Sequence, residues 1–300
     1  MILLTGATGV IGGELLPILL GQGEEVRVLV RDPRKLGGHR VNVQIALGDL
    51  ADPYPIRNAM RGVETIIHLA ATIRDQPRGT IEELNGLATA RLLRSAERAG
   101  VKRFVFFSAM GATGFQRTRF FRSKAIAEEA VRGSALDTTV FAPSIVYRPG
   151  DQWITLLQRL AILPAMPVSG SGRSRYQPIW ARDVARCVAA SLDGGSKTKG
   201  SGRRGRSDQR YELAGPEVLT YDGIVERVLE ASGRNRPLVH VPLPLVRAGL
   251  RAAELVAGPS VFATWEEAEL MEVSMTSERG TADAELLGVD PRPVSGVLGA

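Results

Sequence analysis

Short apolar runs alternate with stretches of helical periodicity through the first half of the chain. ILLT at 2–5 reads as a strand, and the following segment, 12–22, carries Leu15, Leu16, Leu19 and Leu20 on one helical stripe. The same pattern predicts strands at 26–30, 43–47, 65–69, 104–108 and 138–141. Helices are predicted between them at 56–60, 81–99 and 123–132. Continuously apolar strands separated by amphipathic helices belong to a parallel sheet whose two faces are both covered. The expected fold class is therefore α/β, a doubly wound parallel sheet with helices on both faces.

The second half has a different texture. Helices are predicted at 152–161, 181–191, 221–232, 245–257 and 265–272, with Thr220 or Asp222 capping the third. Strands are predicted at 210–213 and at 238–241, the latter just before Pro242 and Pro244. No linker and no internal repeat divides the chain. We expect a sheet-forming core over 1–150 and a smaller mixed C-terminal substrate lobe over 151–300, interleaved with the core and carrying a basic flexible loop at 194–210.

Composition narrows the class. The chain has 300 residues, 44% hydrophobic and 23% charged, which suits a globular protein with a sizeable core. Cys187 is the single cysteine and His39, His68 and His240 are scattered, so neither a disulfide nor a metal site is expected. No signal segment is recognised at the start. The apolar stretches 153–168 and 238–259 are broken by Arg159 and Pro164 in the first, and by prolines and arginines in the second. The reading is a cytoplasmic protein without a membrane span, with peripheral membrane contact left open. The net charge of +6 owes much to KTKGSGRRGRSDQR at 197–210. That run is rich in Gly and Ser and carries no aromatic residue for base stacking. It reads as a solvated loop, and no nucleic-acid partner is expected.

Chemistry enters with TGATGVIG at 5–12, which follows a strand and opens a helix. Gly6 allows a tight turn, Gly9 lets the backbone approach a pyrophosphate, and Gly12 lets helix and strand pack closely. Thr5, Thr8, Val10 and Ile11 complete the turn, and the helix N-terminus offers free N–H groups to phosphates. This is the dinucleotide fingerprint of a Rossmann sheet. The second strand ends at Val30, where an acidic residue would accept the ribose hydroxyls of NAD. Arg31 stands there instead, in RDPRK, and a guanidinium suits a 2′-phosphate. NADP(H) is the expected cofactor, with NAD(H) as the alternative through Asp32. Arg34 and Lys35 either add positive charge or are plain loop residues. Asp49, beside Leu50 in GDL, is placed to reach the adenine amino group or to cap the next helix.

With these residues the chain resembles atypical extended short-chain dehydrogenases. The resemblance rests on TGATGVIG, GDL at 48–50, HLAA at 68–71, Asn85, AGVKRFVFFSAMGA at 99–112 and SKAIAEEAV around Lys124. It continues through TTVFAPSIVYRPGD, YQPIWARDVARCVAAS, YELAGPEVLTYDGIVERV and LGVDPRPVSGVL. The nearest group is similar to the Rossmann-fold accessory subunit of respiratory complex I, with nucleotide-sugar epimerases and NmrA-like proteins as cousins. The resemblance implies that Leu69, Ala70 and Ala71 line the cofactor. It also implies that Lys124 binds the ribose hydroxyls, that 143–146 (Pro143, Ile145, Val146) lies near the carboxamide, and that Asp183 begins a helix bordering the substrate lobe.

One departure matters. Active relatives carry a tyrosine four residues before the lysine, which exchanges a proton as hydride moves. Here Phe120 holds that position, and phenylalanine has no proton to give. The serine or threonine expected near Met110 is also absent, with Ser108 and Thr113 as nearby substitutes. Tyr147 and Tyr176 read as packing or rim residues, and His68 as a buried, satisfied histidine. Three functions remain. One is a dinucleotide-binding protein with a degraded Tyr/Ser relay and little or no redox turnover. Another is an active NADP(H)-dependent reductase or epimerase using a non-standard acid on an unidentified small-molecule substrate. The third is an assembly or interaction subunit of a quinone-linked respiratory complex, for which Leu245, Leu250, Leu255 and Val256 either offer a docking surface or complete the core of the small lobe. The chain is read as a monomer or dimer.

Overall fold

The computed structural model describes residues 1–194, 209–257 and 264–299. Strand β1 (Ile2–Thr5) leads into helix α1 (Gly12–Gly21), then β2 (Val26–Val30), a 3₁₀ segment (Pro33–Asn42) and β3 (Gln44–Leu47). Helix α2 (Pro53–Ala59) and β4 (Thr65–His68) follow. A π-turn (Glu83–Leu87) then runs into α3 (Ala88–Ala99), β5 (Arg103–Phe107), α4 (Arg119–Arg132) and β6 (Asp137–Pro143). The second half contains β7 (Val146–Tyr147), α5 (Gln152–Leu160), β8 (Met166–Ser169), β9 (Arg175–Tyr176), β10 (Ile179–Trp180) and α6 (Ala181–Gly194). It continues with β11 (Gln209–Leu213), β12 (Leu219–Thr220), α7 (Tyr221–Ala231), β13 (Leu238–Val241), α8 (Leu243–Ala257), α9 (Trp265–Leu270), α10 (Ala282–Leu286) and α11 (Val294–Leu298).

Seven strands form one sheet in the order β11-β6-β5-β4-β1-β2-β3, every neighbouring pair parallel. The chain runs outward from β1 in both directions, so the order reverses between β1 and β4. In open α/β sheets the ligand crevice lies at such a switch point, beyond the carboxyl ends of the strands. Alternate residues of one strand feed opposite faces. Leu4 joins Leu15, Leu19, Val184 and Val188 under α1 and α6. Leu3 joins Ile56, Leu92, Ala96, Phe104 and Val131 under α2, α3 and α4. Both clusters exclude water, which is why the strands read as unbroken apolar runs. A third cluster, with Tyr147, Ile154, Leu157, Tyr176, Ile224 and Val228, fills the lobe built by the second half.

The predicted elements are adjusted in several places. A 3₁₀ segment rather than a full helix joins β2 to β3, and β3 keeps Ile45 and Leu47 exposed at the sheet edge. Helix α4 starts at Arg119, not at residue 123, and this puts Phe120 and Lys124 one turn apart on a single helix. The predicted helix 81–99 contains the π-turn. It is held by Asn85, whose amide donates to the Thr72 and Ile81 carbonyls at 2.8 and 2.9 Å and accepts from the Thr72 N–H at 3.0 Å. The two-residue strands β7, β9, β10 and β12 and the short helices α10 and α11 had no pattern of their own. Of the basic loop expected at 194–210, residues 195–208 lie outside the described residues. Gln209 and Arg210 belong to β11, and Arg210 pairs with Glu128 and Glu212. Leu245 is exposed and Leu250 half-buried, whereas the side chains of Leu255 and Val256 lie outside the described residues. No helix among the described residues is long and apolar enough to cross a membrane.

A buried hydrogen-bond chain fastens β1, β4 and the helix above them. His68 is fully buried, with Nδ1 2.7 Å from Thr5 Oγ1 and Nε2 2.9 Å from Thr89 Oγ1. Thr89 spends its proton on the Asn85 carbonyl at 2.6 Å, so His68 Nε2–H donates to Thr89 and the Thr5 hydroxyl donates to Nδ1. The ring is neutral and saturated. Burial, followed by the nearby Lys124 charge, pushes its pKa down to about 3. The unfolded state therefore binds the extra proton between about pH 6.5 and about pH 3, and stability falls as pH drops through that window. His68 is expected to contribute a loss of up to about 1.4 kcal/mol per pH unit there. Urea titrations at pH 7 and pH 5 should show this slope in the wild type and a shallower one in His68→Phe.

Candidate functional site

The carboxyl end of β1 turns at Gly6 with φ +74°, a region open to glycine at little cost. A Cβ at Gly6 would stand 2.6 Å from the Ala70 amide nitrogen. One at Gly12 would stand 2.2 Å from the Gly6 carbonyl oxygen, and one at Gly9 3.2 Å from the same oxygen. The turn is thus packed against the end of β4, and α1 is set directly onto it. Gly9 accepts the first helical bond, from the Gly13 N–H at 2.9 Å. The opening amides of a helix have no acceptor within it, and no side chain caps this one. Thr8 and Gly9 are exposed, and Val10 and Ile11 half-buried, so the rim faces solvent. The Thr5 side chain turns inward to His68 and supports the turn from beneath.

The remaining strand ends converge on the same edge. Leu69 bonds back to the Thr5 carbonyl through its N–H, Ala70 N–H lies 3.4 Å from Thr5 Oγ1, and Ala71 is exposed. Beyond β3, Asp49 accepts the Ala51 N–H on one oxygen. Its other oxygen is buried without a hydrogen-bond partner, and the nearest cation, Arg78, stands 3.9 Å away. The cap of α2 is Asp52, so Asp49 is not a helix cap. Leu50 lies half-buried beside it. An open acceptor there and a glycine cradle at the helix start fit a dinucleotide. Arg31 is exposed at the end of β2. The Asp32 carboxylate is engaged by the Arg34 guanidinium at 2.9 Å and by the Arg34 N–H at 3.1 Å, and that pairing holds it below the usual carboxylate range.

At the far side of the crevice, Lys124 is 3% exposed. Its Nζ donates to the Phe107 carbonyl at 2.6 Å and lies 5.0 and 5.9 Å from the ring centroids of Phe106 and Phe120. Burial among these rings lowers its pKa to about 7. Ser108, next to that carbonyl, has a buried hydroxyl without a partner. Thr113 is exposed on the loop between β5 and α4. Pro143 accepts the Met110 N–H, while Ile145 and Val146 bond and pair with Ile179, so this segment is pinned by the second half. Tyr147 and Tyr176 are buried, the latter donating to the Met271 carbonyl at 2.5 Å. Asp183 lies in the first turn of α6, where it accepts the Arg292 N–H at 2.9 Å and anchors the C-terminal segment.

Pattern reading missed two features. Arg119, beside Phe120, gathers Asp75, Glu82 and Glu266 at 3.0, 2.6 and 2.6 Å and so ties α9 to α4 and to the segment before the π-turn. Ser144 donates to the Met275 carbonyl and accepts the Gln177 N–H, closing the second half onto β6. Both depend on partners far away in sequence.

A family model described as NAD(P)H-binding matches residues 6–193, from the glycine turn through α6. The chain belongs to this NAD(P)H-binding family. Sterol demethylase protein B of Methylococcus capsulatus is 34% identical over 82% of this chain and 78% of its own length. Ceramide reductase of Caulobacter vibrioides is 30% identical over 92% of this chain and 86% of its own. Mitochondrial NADH dehydrogenase (ubiquinone) 1 alpha subcomplex subunit 9 of Arabidopsis thaliana is 28% identical over 81% of this chain and 60% of its own. The resemblance to the complex I accessory subunit is thus present. UDP-glucose 4-epimerase of Thermus thermophilus, solved with NAD, shares the fold at TM-score 0.72 and 18% identity, over 99% of this chain and 96% of its own.

In this NAD(P)H-binding protein, Gly12→Ala is the sharpest test of the cradle. The added Cβ meets backbone, so a loss of about 1–3 kcal/mol is expected, together with loss of dinucleotide binding. Melting with and without NADPH reads both. The wild type should gain about 2.7 kcal/mol at ligand near 100 times its Kd, and the variant nothing.

Proposed function

We propose that this chain is an NADP(H)-dependent reductase for an apolar carbonyl compound, with Lys124 in place of a tyrosine as the proton source. The observation that carries the reading is the buried Lys124 amine, held by the Phe107 carbonyl between Phe106 and Phe120, with Ser108, whose buried hydroxyl has no partner, the next residue after Phe107 at the end of β5. The glycine turn would hold the diphosphate, Asp49 the adenine amino group and Arg31 a 2′-phosphate. When bound, the reduced nicotinamide supplies hydride to the carbonyl carbon. Lys124 gives a proton to the carbonyl oxygen, and its neutral amine is the form that the apolar surroundings favour. The Ser108 hydroxyl orients that oxygen.

The lobe built by the second half has an apolar core, with Met110, Phe121, Tyr147, Tyr221 and Met275 buried and Phe120, Ile145 and Met271 packed against them. The half-buried Phe120 ring beside Lys124 suits a lipid-like carbonyl compound better than a sugar nucleotide. Two relatives carry names that refer to a sterol and a ceramide, both lipids. The preference for NADP(H) rests on Arg31, and on an Asp32 already occupied by Arg34. A second reading, cofactor binding with little turnover, draws on Phe120 itself.

NADPH oxidation against long-chain ketones, enones and quinones separates the two. The reductase reading expects turnover that falls as pH rises through about 7, where the acid loses its proton. It also expects loss of turnover in Lys124→Met and little change in Phe120→Tyr. A silent wild type that gains activity in Phe120→Tyr would establish the second reading. Arg31→Asp should weaken NADPH binding by about 1.5–3 kcal/mol, the scale of one charged hydrogen bond, and strengthen NADH binding, because a carboxylate there can accept the ribose hydroxyls; equal NADPH affinity in the variant removes Arg31 from the site.

A further inference from the structure

We propose that Arg148 is a positioning residue that clamps the diphosphate of the dinucleotide from the side opposite the glycine turn. Arg148 follows β7, in a tight turn fixed by its own N–H donating to Asp151 at 2.8 Å and by the Asp151 N–H returning to its carbonyl at 3.1 Å. From there the guanidinium reaches the first turn of α1. Its Nη1 lies 3.0 Å from where a Cβ on Gly13 would stand, so only glycine leaves it full room. Glu14 is its nearest acid, at 3.7 Å, which is an ion-pair distance too long for a hydrogen bond.

The placement is electrostatically odd for a cofactor-free protein. A helix N-terminus carries the equivalent of about half a positive charge, and a cation there is unfavourable. The first-turn Glu14 offsets part of this. A diphosphate on the opening amides of α1 would resolve the rest, held by the helix on one side and by the guanidinium on the other. Arginine suits the task because its fork of donors matches phosphate oxygens. The inference rests on the dinucleotide-binding reading of the glycine turn. It differs from the assignment of Arg31 in the phosphate addressed: Arg31 would serve the 2′-phosphate of NADPH alone, whereas Arg148 serves a group common to NADPH, NADH and ADP-ribose.

Calorimetric titration of the whole chain with these three ligands tests it, using Arg148→Met and Arg148→Lys. The expected result is a cofactor-free melting temperature unchanged in Arg148→Met, with affinity for all three ligands reduced to a similar degree, on the order of tenfold. Arg148→Lys should recover part of the loss, because it keeps the charge without the fork. Unchanged affinity for NADH and ADP-ribose in Arg148→Met overturns the proposal. So does a loss confined to NADPH, which would place the guanidinium at the 2′-phosphate. A wild type that binds none of the three ligands would fail the reading of the glycine turn itself.

Discussion

At Gly6 and Gly12 the backbone is packed closer than any side chain allows. The Gly6 Cα faces the Ala70 backbone at the end of β4, and Gly12 lies on the Gly6 carbonyl. This contact brings together the two central strands at the point where the sheet order reverses, and it aims α1 at the gap between them. The His68 chain, from Thr5 to Asn85, locks the layer beneath. With those pieces fixed, the ends of β2, β3 and β6 bring Arg31, Asp49 and Pro143 to the same edge without further design.

Much of this was legible in the sequence because it is local. A strand followed at once by glycines and an amphipathic helix has few other solutions, and buried parallel strands carry their own apolar signature. The i, i+4 relation of Phe120 to Lys124 was likewise legible from spacing, although the helix that carries it starts earlier than periodicity suggested. Arg119 explains the difference, since its charge is satisfied by Asp75, Glu82 and Glu266 rather than by solvent. The π-turn depends on Asn85 reaching Thr72, and the two-residue strands β7 and β10 exist only because each finds the other. Such features are products of tertiary contact and leave no periodic trace. The roles of Asp183, Ser144 and Arg148 belong to this class too.

The chemistry of the crevice follows from what its two halves contribute. The first half supplies backbone amides, an open carboxylate oxygen and one buried amine. The second half supplies a lobe with its own apolar core, fastened to β6 through Ser144 and to α4 through Arg119. Burial beside Phe106 and Phe120 lowers the pKa of this amine, Lys124, to about 7, and it is on this that the proposed role of Lys124 as proton donor rests.

A crystal structure grown in saturating NADPH tests the central claim most directly. The account predicts diphosphate density within hydrogen-bond distance of the Val10 and Ile11 amides, with the adenine amino group near the free oxygen of Asp49. A turn still empty under those conditions, or a nucleotide bound elsewhere on the protein, would contradict it.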